Sequence, residues 1–503
     1  MGKVVSLEDL IHLVDGARKN HNIIALCHGV FDVVHPGHTA YFEEAKKHSD
    51  TLIVTVTPDR FVNRGPGRPI FGEQLRAKEV ASKSIVDYVA INEYPTAIET
   101  IKRLKPDYYV KGPDYKDQQL DLTTMIGEEQ KAIEEVGGEL LITDTPLYSS
   151  SSLINQFLSP LPEETQQYLE KFREEHLAKD IIKELQGLHD LKVLIIGDVI
   201  IDEYVYCDVL GASPKDHMLT ARYSGEERFA GGVLAVANHV ASFCDNITLV
   251  SITSSPHDEV WTRSNVKRNV KHETFWNPHE PTPYKRRFVE PDSFRKLFEI
   301  AYLPQTTLGE GIELDICSYL GKHARKYDLV VVCDFGHGLM TQDIIGRVCN
   351  EARFLAVNAQ TNSANRGFNP ITKYHNIKYT SLDELEVRLA AADMFKSLQE
   401  VTSTLLQRDN PLIAVTRGRH GSSLFQQGED VIETPVLSTR VVDAVGAGDA
   451  FLSVTSLLAA RGASPSLIGF VGNVAGGLHA GVVGNKTSLD PVEVYKFITA
   501  LLK

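Results

Sequence analysis

Two short stretches of this 503-residue chain combine residue types and spacings that chemistry uses. The first runs from His28 to Lys46, HGVFDVVHPGHTAYFEEAK. An apolar run, Ile23 to Leu26, precedes a His35-Pro-Gly-His38 turn, and a helical pattern follows it. A strand that ends in a glycine-containing turn and opens a helix presents unpaired N–H groups and the positive end of the helix dipole. Both favour anions. His35 and His38, three residues apart, add cationic or donor groups. The turn offers donors for a polyphosphate and no evident general base or nucleophile. That suits in-line transfer between phosphates, where positioning and charge neutralisation supply most of the rate. Lys46, Arg76, Lys111-Gly112 and the run Ser149–Ser152 each fall at or near a place where a strand gives way to a loop or helix. Hydroxyls at a helix start cap it and contact a phosphate at once.

The second stretch is Asp443-Ala-Val-Gly-Ala-Gly-Asp449, which opens an apolar, small-residue helical run from Ala450 to Ala460. Gly446, Ala447 and Gly448 let backbone N–H groups converge on an anion. Asp449 beside that hole would repel the anion. It is better placed as a base that accepts a hydroxyl proton during phosphoryl transfer. Lys285, Arg286, Arg287, Arg295 and Lys296 form a local basic cluster in an acidic chain. Two readings stay open for it, a solvated strand pair and a clamp for a substrate phosphate.

The elements around the first stretch alternate. Strands are expected at Ile23–Leu26, Leu52–Val56, Tyr88–Ile91, Tyr108–Val110 and Leu140–Ile142, with helices between them. Such alternation predicts a parallel sheet covered on both faces, whose ligands bind at the carboxyl ends of the strands. Residues 159–189 read differently: after Pro160 and Pro162, Glu163 to Gly187 form one charged amphipathic helix, taken as a linker. A second alternating unit starts at Lys192-Val-Leu-Ile-Ile-Gly-Asp198 and includes a Gly231-Gly232 turn, Ile247–Ile252, Leu329–Cys333 and Leu412–Thr416. The expectation is therefore α/β, with domains at 1–158 and 190–503 joined by 159–189.

Bulk properties bound the function. The net charge of −14 argues against a nucleic-acid or membrane-surface binder, because phosphate backbones need a basic surface. No uninterrupted apolar stretch approaches the ~18 residues of a membrane span, and Met1 to Asn20 is too polar for a secretory leader. The six cysteines are scattered with no CxxC pair, as expected of reduced thiols in a cytoplasmic protein.

GVFDVVHPGH, KGPDY at Lys111 to Tyr115 and YSSSSLI at Tyr148 to Ile154 resemble the cytidylyltransferase-like (HxGH) nucleotidyltransferases, over about residues 23–158. The stretch looks like the adenylyltransferase half of the bifunctional heptose-phosphate enzymes of lipopolysaccharide precursor synthesis. The resemblance implies attack by a sugar phosphate on the α-phosphate of ATP or CTP, with release of pyrophosphate. It places His35 and His38 on the triphosphate, with Gly29, Lys46 and Arg76 assisting. Ser149, Ser150 and Ser151 would bind phosphate or ribose, and Asp32 and Lys111 would line the acceptor side. Family enzymes usually need Mg²⁺.

From about residue 190 onward, GDVIIDEY (Gly197 to Tyr204), Gly231-Gly232, Cys333-Asp-Phe-Gly-His337, Thr416-Arg-Gly418 and DAVGAGD resemble the ribokinase-like (PfkB) sugar kinases. This implies ATP-dependent phosphorylation of a sugar hydroxyl, with Asp449 as base and Gly446, Ala447 and Gly448 as anion hole. Asp198 and Asp202 would hold sugar hydroxyls, Gly231 and Gly232 would lie near the substrate, and Thr416 and Gly418 near the nucleotide. Glu384 would orient Mg²⁺ through water. The family also implies a homodimer through lid strands near residues 202–230 and 284–302. The chain departs from the family at Ala235, His337, Gln360 and Ser381, where polar substrate or metal contacts are usual. Those losses, each about 1–3 kcal/mol if buried, point to a different substrate or a weak activity.

The two resemblances together imply two Rossmann-like parallel-sheet domains, an HxGH nucleotidyltransferase fold followed by a ribokinase-like fold. The heptose enzymes carry the same halves in the reverse order. The leading expectation is a cytoplasmic bifunctional enzyme of nucleotide-sugar synthesis acting on small sugar phosphates and nucleotides. A glycerol-phosphate or polyol-phosphate cytidylyltransferase with a structural kinase-like half is the alternative. A non-catalytic nucleotide sensor is a third reading.

Overall fold

A computed structural model describes residues 2–62, 65–112, 125–143, 160–406 and 411–503. The chain divides into two compact units, Met1–Pro162 with Tyr495–Lys503, and Glu163–Val494.

In the first unit six strands form one sheet: β1 (Lys3–Val4), β2 (Ile24–Gly29), β3 (Thr51–Val56), β4 (Tyr88–Ile91), β5 (Tyr108–Lys111) and β6 (Glu139–Ile142). Their order is β1-β4-β3-β2-β5-β6, and every pairing is parallel. Side chains of a strand alternate between faces, and β2 shows what that demands here. Ala25 and Cys27 pack with Phe42 and Val80 on one face, while Ile24 and Leu26 pack with Leu10 and Ile101 on the other. A strand buried on both faces is largely apolar, which made the Ile24–Leu26 part legible; the strand starts one residue later than expected and runs on to Gly29. The strand order reverses between β2 and β5, and open parallel sheets bind ligands at that place.

The second unit holds two sheets. Nine strands make the larger one: β7 (Lys192–Gly197), β10 (Asn246–Thr253), β11 (Val270–Trp276), β14 (Leu329–Asp334), β15 (Leu355–Ala359), β16 (Tyr379–Asp383), β17 (Leu412–Thr416), β18 (Ser422–Gln426) and β19 (Ile432–Thr434). They run in the order β11-β10-β7-β14-β15-β16-β17-β18-β19, parallel up to β17. β18 and β19 close the edge antiparallel. A separate sheet of four strands, β8 (Val199–Ala212), β9 (Leu219–Gly232), β12 (Tyr284–Glu290) and β13 (Arg295–Tyr302), runs β13-β12-β8-β9. Its strands β12 and β13 carry charged residues on both faces, so no apolar alternation marks them.

Residues 163–186, expected as one linker helix, form two helices, Glu163–Glu175 and Ala178–Gln186, and both lie in the second unit. Phe172 stacks on Phe470 at 4.3 Å, so an apolar stripe on this charged helix is spent on tertiary packing. Among the described residues no helix is long and apolar enough to cross a membrane.

Candidate active sites

In the first unit the HPGH turn sits at the carboxyl edge of β2 and caps the helix Pro36–Lys47. His35 is the N-cap in extended conformation, and its Nδ1 accepts the N–H of Gly37 at 3.1 Å. The Nδ1 of His38 accepts the N–H of His35 at 3.3 Å. The two rings stack with centroids 4.0 Å apart. A neutral imidazole that accepts at Nδ1 carries its proton on Nε2. Burial lowers the pKa of His35, and burial together with the neighbouring His35 pushes that of His38 down to about 3. The pair is thus two neutral N–H donors at ordinary pH. Of the two forms left open by the sequence, cation or donor, this geometry favours the donor.

The other residues expected at this site divide. Gly29 ends β2 and Lys111 ends β5, the two strands flanking the reversal of order. Lys111 is buried against Glu129 at 2.7 Å, so its charge is already compensated. Asp32 is buried, and its Oδ1 accepts the N–H groups of Ile70 at 2.8 Å and Phe71 at 3.1 Å. It fastens that loop beside the turn rather than presenting an open carboxylate to an acceptor.

Arg76 and Lys46 need correction as nucleotide contacts. The Arg76 guanidinium is 1% exposed and donates to the carbonyls of Val30, Phe71 and Thr57 and to Asp59. Its donors hold the turn's backbone, which leaves little for a phosphate. Lys46 lies at the opposite end of the helix from His35, donating to the Asp50 carbonyl and the Asp87 carboxylate, each at 2.6 Å. Both partners precede strands, at the amino edge of the sheet, away from the ligand edge. Ser149, Ser150 and Ser151, with Asp114 and Tyr115 of KGPDY, lie outside the described residues. His28, which the sequence reading passed over, bridges Thr55 at 3.0 Å and Thr57 at 3.3 Å beside Gly29. Burial pushes its pKa down to about 3. A lone histidine at a strand end carries no periodic signal that would single it out.

In the second unit a cavity of about 790 Å³ gathers Asp202, Gly232, Thr416, Gly418, Gly446, Ala447, Gly448 and Asp449. The helix Ala447–Ala460 starts at this cavity; the Ala447 N–H donates to the Ala444 carbonyl at 3.3 Å, and the other first-turn N–H groups face the cavity. Gly446 has φ +84°, and a Cβ there would come within 2.2 Å of Asn485 Oδ1. The anion hole therefore needs glycine at that position on both counts. Asp449 is partly exposed, and loss of hydration pushes its carboxyl up to about 7, with Asp202 adding and Lys285 opposing. A carboxyl poised near neutrality suits a general base.

Asp202 is nearly buried and ion-paired with Arg287. Gly231 makes room for it: a Cβ there would lie 2.2 Å from Asp202 Oδ2. Asp198 is placed differently from the expectation. It does not line the cavity, and its carboxylate accepts N–H groups from Phe335 at 3.1 Å, His337 at 3.2 Å and Leu339 at 3.3 Å. Burial, with the negative charge of Asp334, pushes its carboxyl up to about 7. Its work is to hold the 335–339 loop against β7, not to meet a sugar hydroxyl.

Glu384 is likewise turned aside. One oxygen bonds Arg388 at 2.8 Å, the other faces Arg417 at 3.8 Å, and neither lines the cavity. Asp383 and Glu386 line it instead. They form a reciprocal cap on the helix Glu384–Ala391, and burial, then the charge of Asp383, pushes Glu386 up to about 8. The spacing Asp383-x-x-Glu386 is a legible capping pattern. A carboxylate neutralised by arginine and another held largely protonated do not make a resident magnesium site. Among the described residues no group of three or more His, Cys, Asp or Glu gathers as metal ligands.

Known proteins divide along the same lines. Residues 26–156 match the cytidylyltransferase-like family, and residues 357–491 match the pfkB family of carbohydrate kinases. The chain is similar to the bifunctional protein HldE of Citrifermentans bemidjiense, 24% identical over 310 residues that cover 60% of this chain and 62% of that protein. Over 120 residues it is 41% identical to HldE of Helicobacter acinonychis, covering 24% of this chain and 25% of the relative. The chain thus spans less than two thirds of the length of these relatives. Phosphofructokinase-2 of Escherichia coli, solved with substrates and products, covers 61% of this chain and 99% of its own, with a TM-score of 0.51 and 13% identity. That likeness establishes a ribokinase-like fold for the second unit.

Proposed function

One chain thus carries a cytidylyltransferase-like domain followed by a pfkB carbohydrate kinase domain, and we propose from this premise that it is a bifunctional enzyme of nucleotide-sugar synthesis. The first unit transfers a nucleotidyl group from ATP or CTP to a sugar 1-phosphate of heptose type. The second phosphorylates a sugar or sugar phosphate with ATP. Both act on small anions in the cytoplasm.

The observation that carries the proposal is the state of the two imidazoles. With both Nδ1 atoms engaged by backbone N–H groups, His35 and His38 carry their protons on Nε2, and on this reading those donors meet the α-phosphate. An oxygen of the sugar 1-phosphate attacks that phosphorus, the bond to the bridging oxygen of the β-phosphate breaks, and pyrophosphate leaves. Neutral donors fixed beforehand stabilise the added charge without reorganising. In the second unit Asp449 accepts the hydroxyl proton, the oxygen attacks the γ-phosphorus, and ADP leaves over the N–H groups of Gly446 to Gly448. The exposed apolar residues of the lid edge, among them Phe298, Ile300 and Tyr302 on β13, support a homodimer through that sheet.

A second reading has specific support. Asp198 and Glu384 are engaged elsewhere, so two roles that the kinase resemblance implies are vacant. This favours a polyol-phosphate cytidylyltransferase whose kinase-like half is structural. ATP consumption with a sugar panel separates the readings: an Asp449→Asn change that leaves it unaltered supports the second.

A further inference from the structure

Five cations stand together on and beside β12 and β13, and four of them are answered by carboxylates of the same unit. Arg286 pairs with Glu203. Arg287 is shared between Asp202 and Glu299. Arg295 faces Glu290 at 3.8 Å, and Lys296 donates to Asp443 at 2.6 Å. Of the five, Lys285 has no carboxylate of the described residues within the 4.0 Å of an ion pair. The cluster is therefore not a broad clamp, and a single ammonium is left over.

The pleat decides where that ammonium points. Lys285 and Arg287 are two residues apart on β12 and share a face. In register, Lys285 lies opposite Asp202 of β8 and Ala301 of β13. Both basic side chains line the 790 Å³ cavity that holds Asp449. Burial lowers the pKa of Lys285, with Asp202 opposing. Asp202 cannot serve as its partner in full, because Arg287 already bonds it. Lys285 is half-buried, and Asp202, Glu299 and Asp449 act on it only at a distance, so an anionic ligand that reaches the ammonium answers its charge directly. The same cavity holds the N-terminus of the Ala447–Ala460 helix, whose dipole favours an anion, so a phosphoryl group held there meets both.

We infer that Lys285 is a direct contact for a phosphoryl group in the kinase cavity beside Asp449. This rests on the kinase reading of the second unit. Two sources bring that chemistry, the transferring γ-phosphate of the nucleotide and a phosphate already on the acceptor.

The test uses the full chain with Lys285→Met and Lys285→Arg beside the wild type. Calorimetry measures binding of ATP, of parent sugars and of their monophosphates, and a coupled assay measures ADP. Losing one charge-assisted contact lowers kcat/KM by about 10–100-fold in Lys285→Met, and Lys285→Arg restores most of it. If the γ-phosphate is the partner, the loss lies in kcat with every acceptor. If the acceptor phosphate is the partner, affinity falls for monophosphates alone. Either result supports the inference. Wild-type binding and turnover in a folded Lys285→Met would overturn it and leave the kinase reading standing. A wild type that neither binds nor consumes ATP would overturn both.

Discussion

Lys296 on the lid strand β13 donates to Asp443 Oδ1 at 2.6 Å, and that carboxylate opens the loop that ends at Asp449. Tyr204 of β8 donates to the other oxygen at 2.7 Å, and the N–H groups of Val445 and Gly484 complete the shell. One buried side chain thus joins the lid sheet to the loop that builds the anion hole. Lys296→Met is expected to lower stability by about 2 kcal/mol and ATP turnover by ~10-fold. Paired with Asp443→Asn, the double variant should lose less than the sum, because the two act as one contact. Thermal denaturation and ADP release from the four proteins check this.

Burial pushes the carboxyl of Asp449 up to about 7, and a base acts only when ionised. Kinase kcat/KM should therefore climb through pH 7 and level off above pH 8. Asp449→Asn should lower it by about 10²–10⁴-fold. A pH–rate profile of ADP formation is the measurement.

Glu386 gives a stability prediction with a defined sign. Burial raises it from 4.5 to about 8, so between those values the folded unit binds more protons than the unfolded chain. Stability therefore falls as pH rises across that window. Glu386→Gln should make the fall shallower. Asp198, also raised, keeps part of it in place. Thermal midpoints at pH 5 and pH 8 for wild type and variant decide the matter.

Arg76 and Lys46 should behave oppositely to a shared role on the nucleotide. Arg76→Met strips buried acceptors of their donor and is expected to destabilise the first unit by more than about 3 kcal/mol. Lys46→Ala removes a partly exposed ion pair, worth less than about 1 kcal/mol. It should leave pyrophosphate release unchanged. Denaturant titration beside the transferase assay distinguishes the two.

These contrasts mark how far the sequence carries. The strands at Tyr88 and Leu412 begin where alternation and apolar runs put them, because strands buried on both faces admit few polar residues. HPGH and DAVGAGD were legible because each glycine turn before a helix stands with companion motifs, which a turn made only for packing does not need. Arg76 was not, because a guanidinium that ties three carbonyls looks in sequence like any helix arginine. Lys46 misled for a related reason: distance along a helix, not proximity in the chain, put it at the wrong edge. Asp198 carries the motif residue, yet the loop folding back from β14 consumes its carboxylate, and no local pattern announces a partner 137 residues away. The lid strands were legible only through the family resemblance, because their pairing is set by long-range register, with charge on both faces.

The most direct test of the account crosses ATP and CTP with a panel of sugar 1-phosphates and measures pyrophosphate together with product mass. The account predicts pyrophosphate release with at least one pairing, a nucleotide-sugar of matching mass, and loss of at least ~10²-fold in His35→Ala, whose donor acts on the transition state. No release with any pairing, with His35→Ala indistinguishable from wild type, would contradict it.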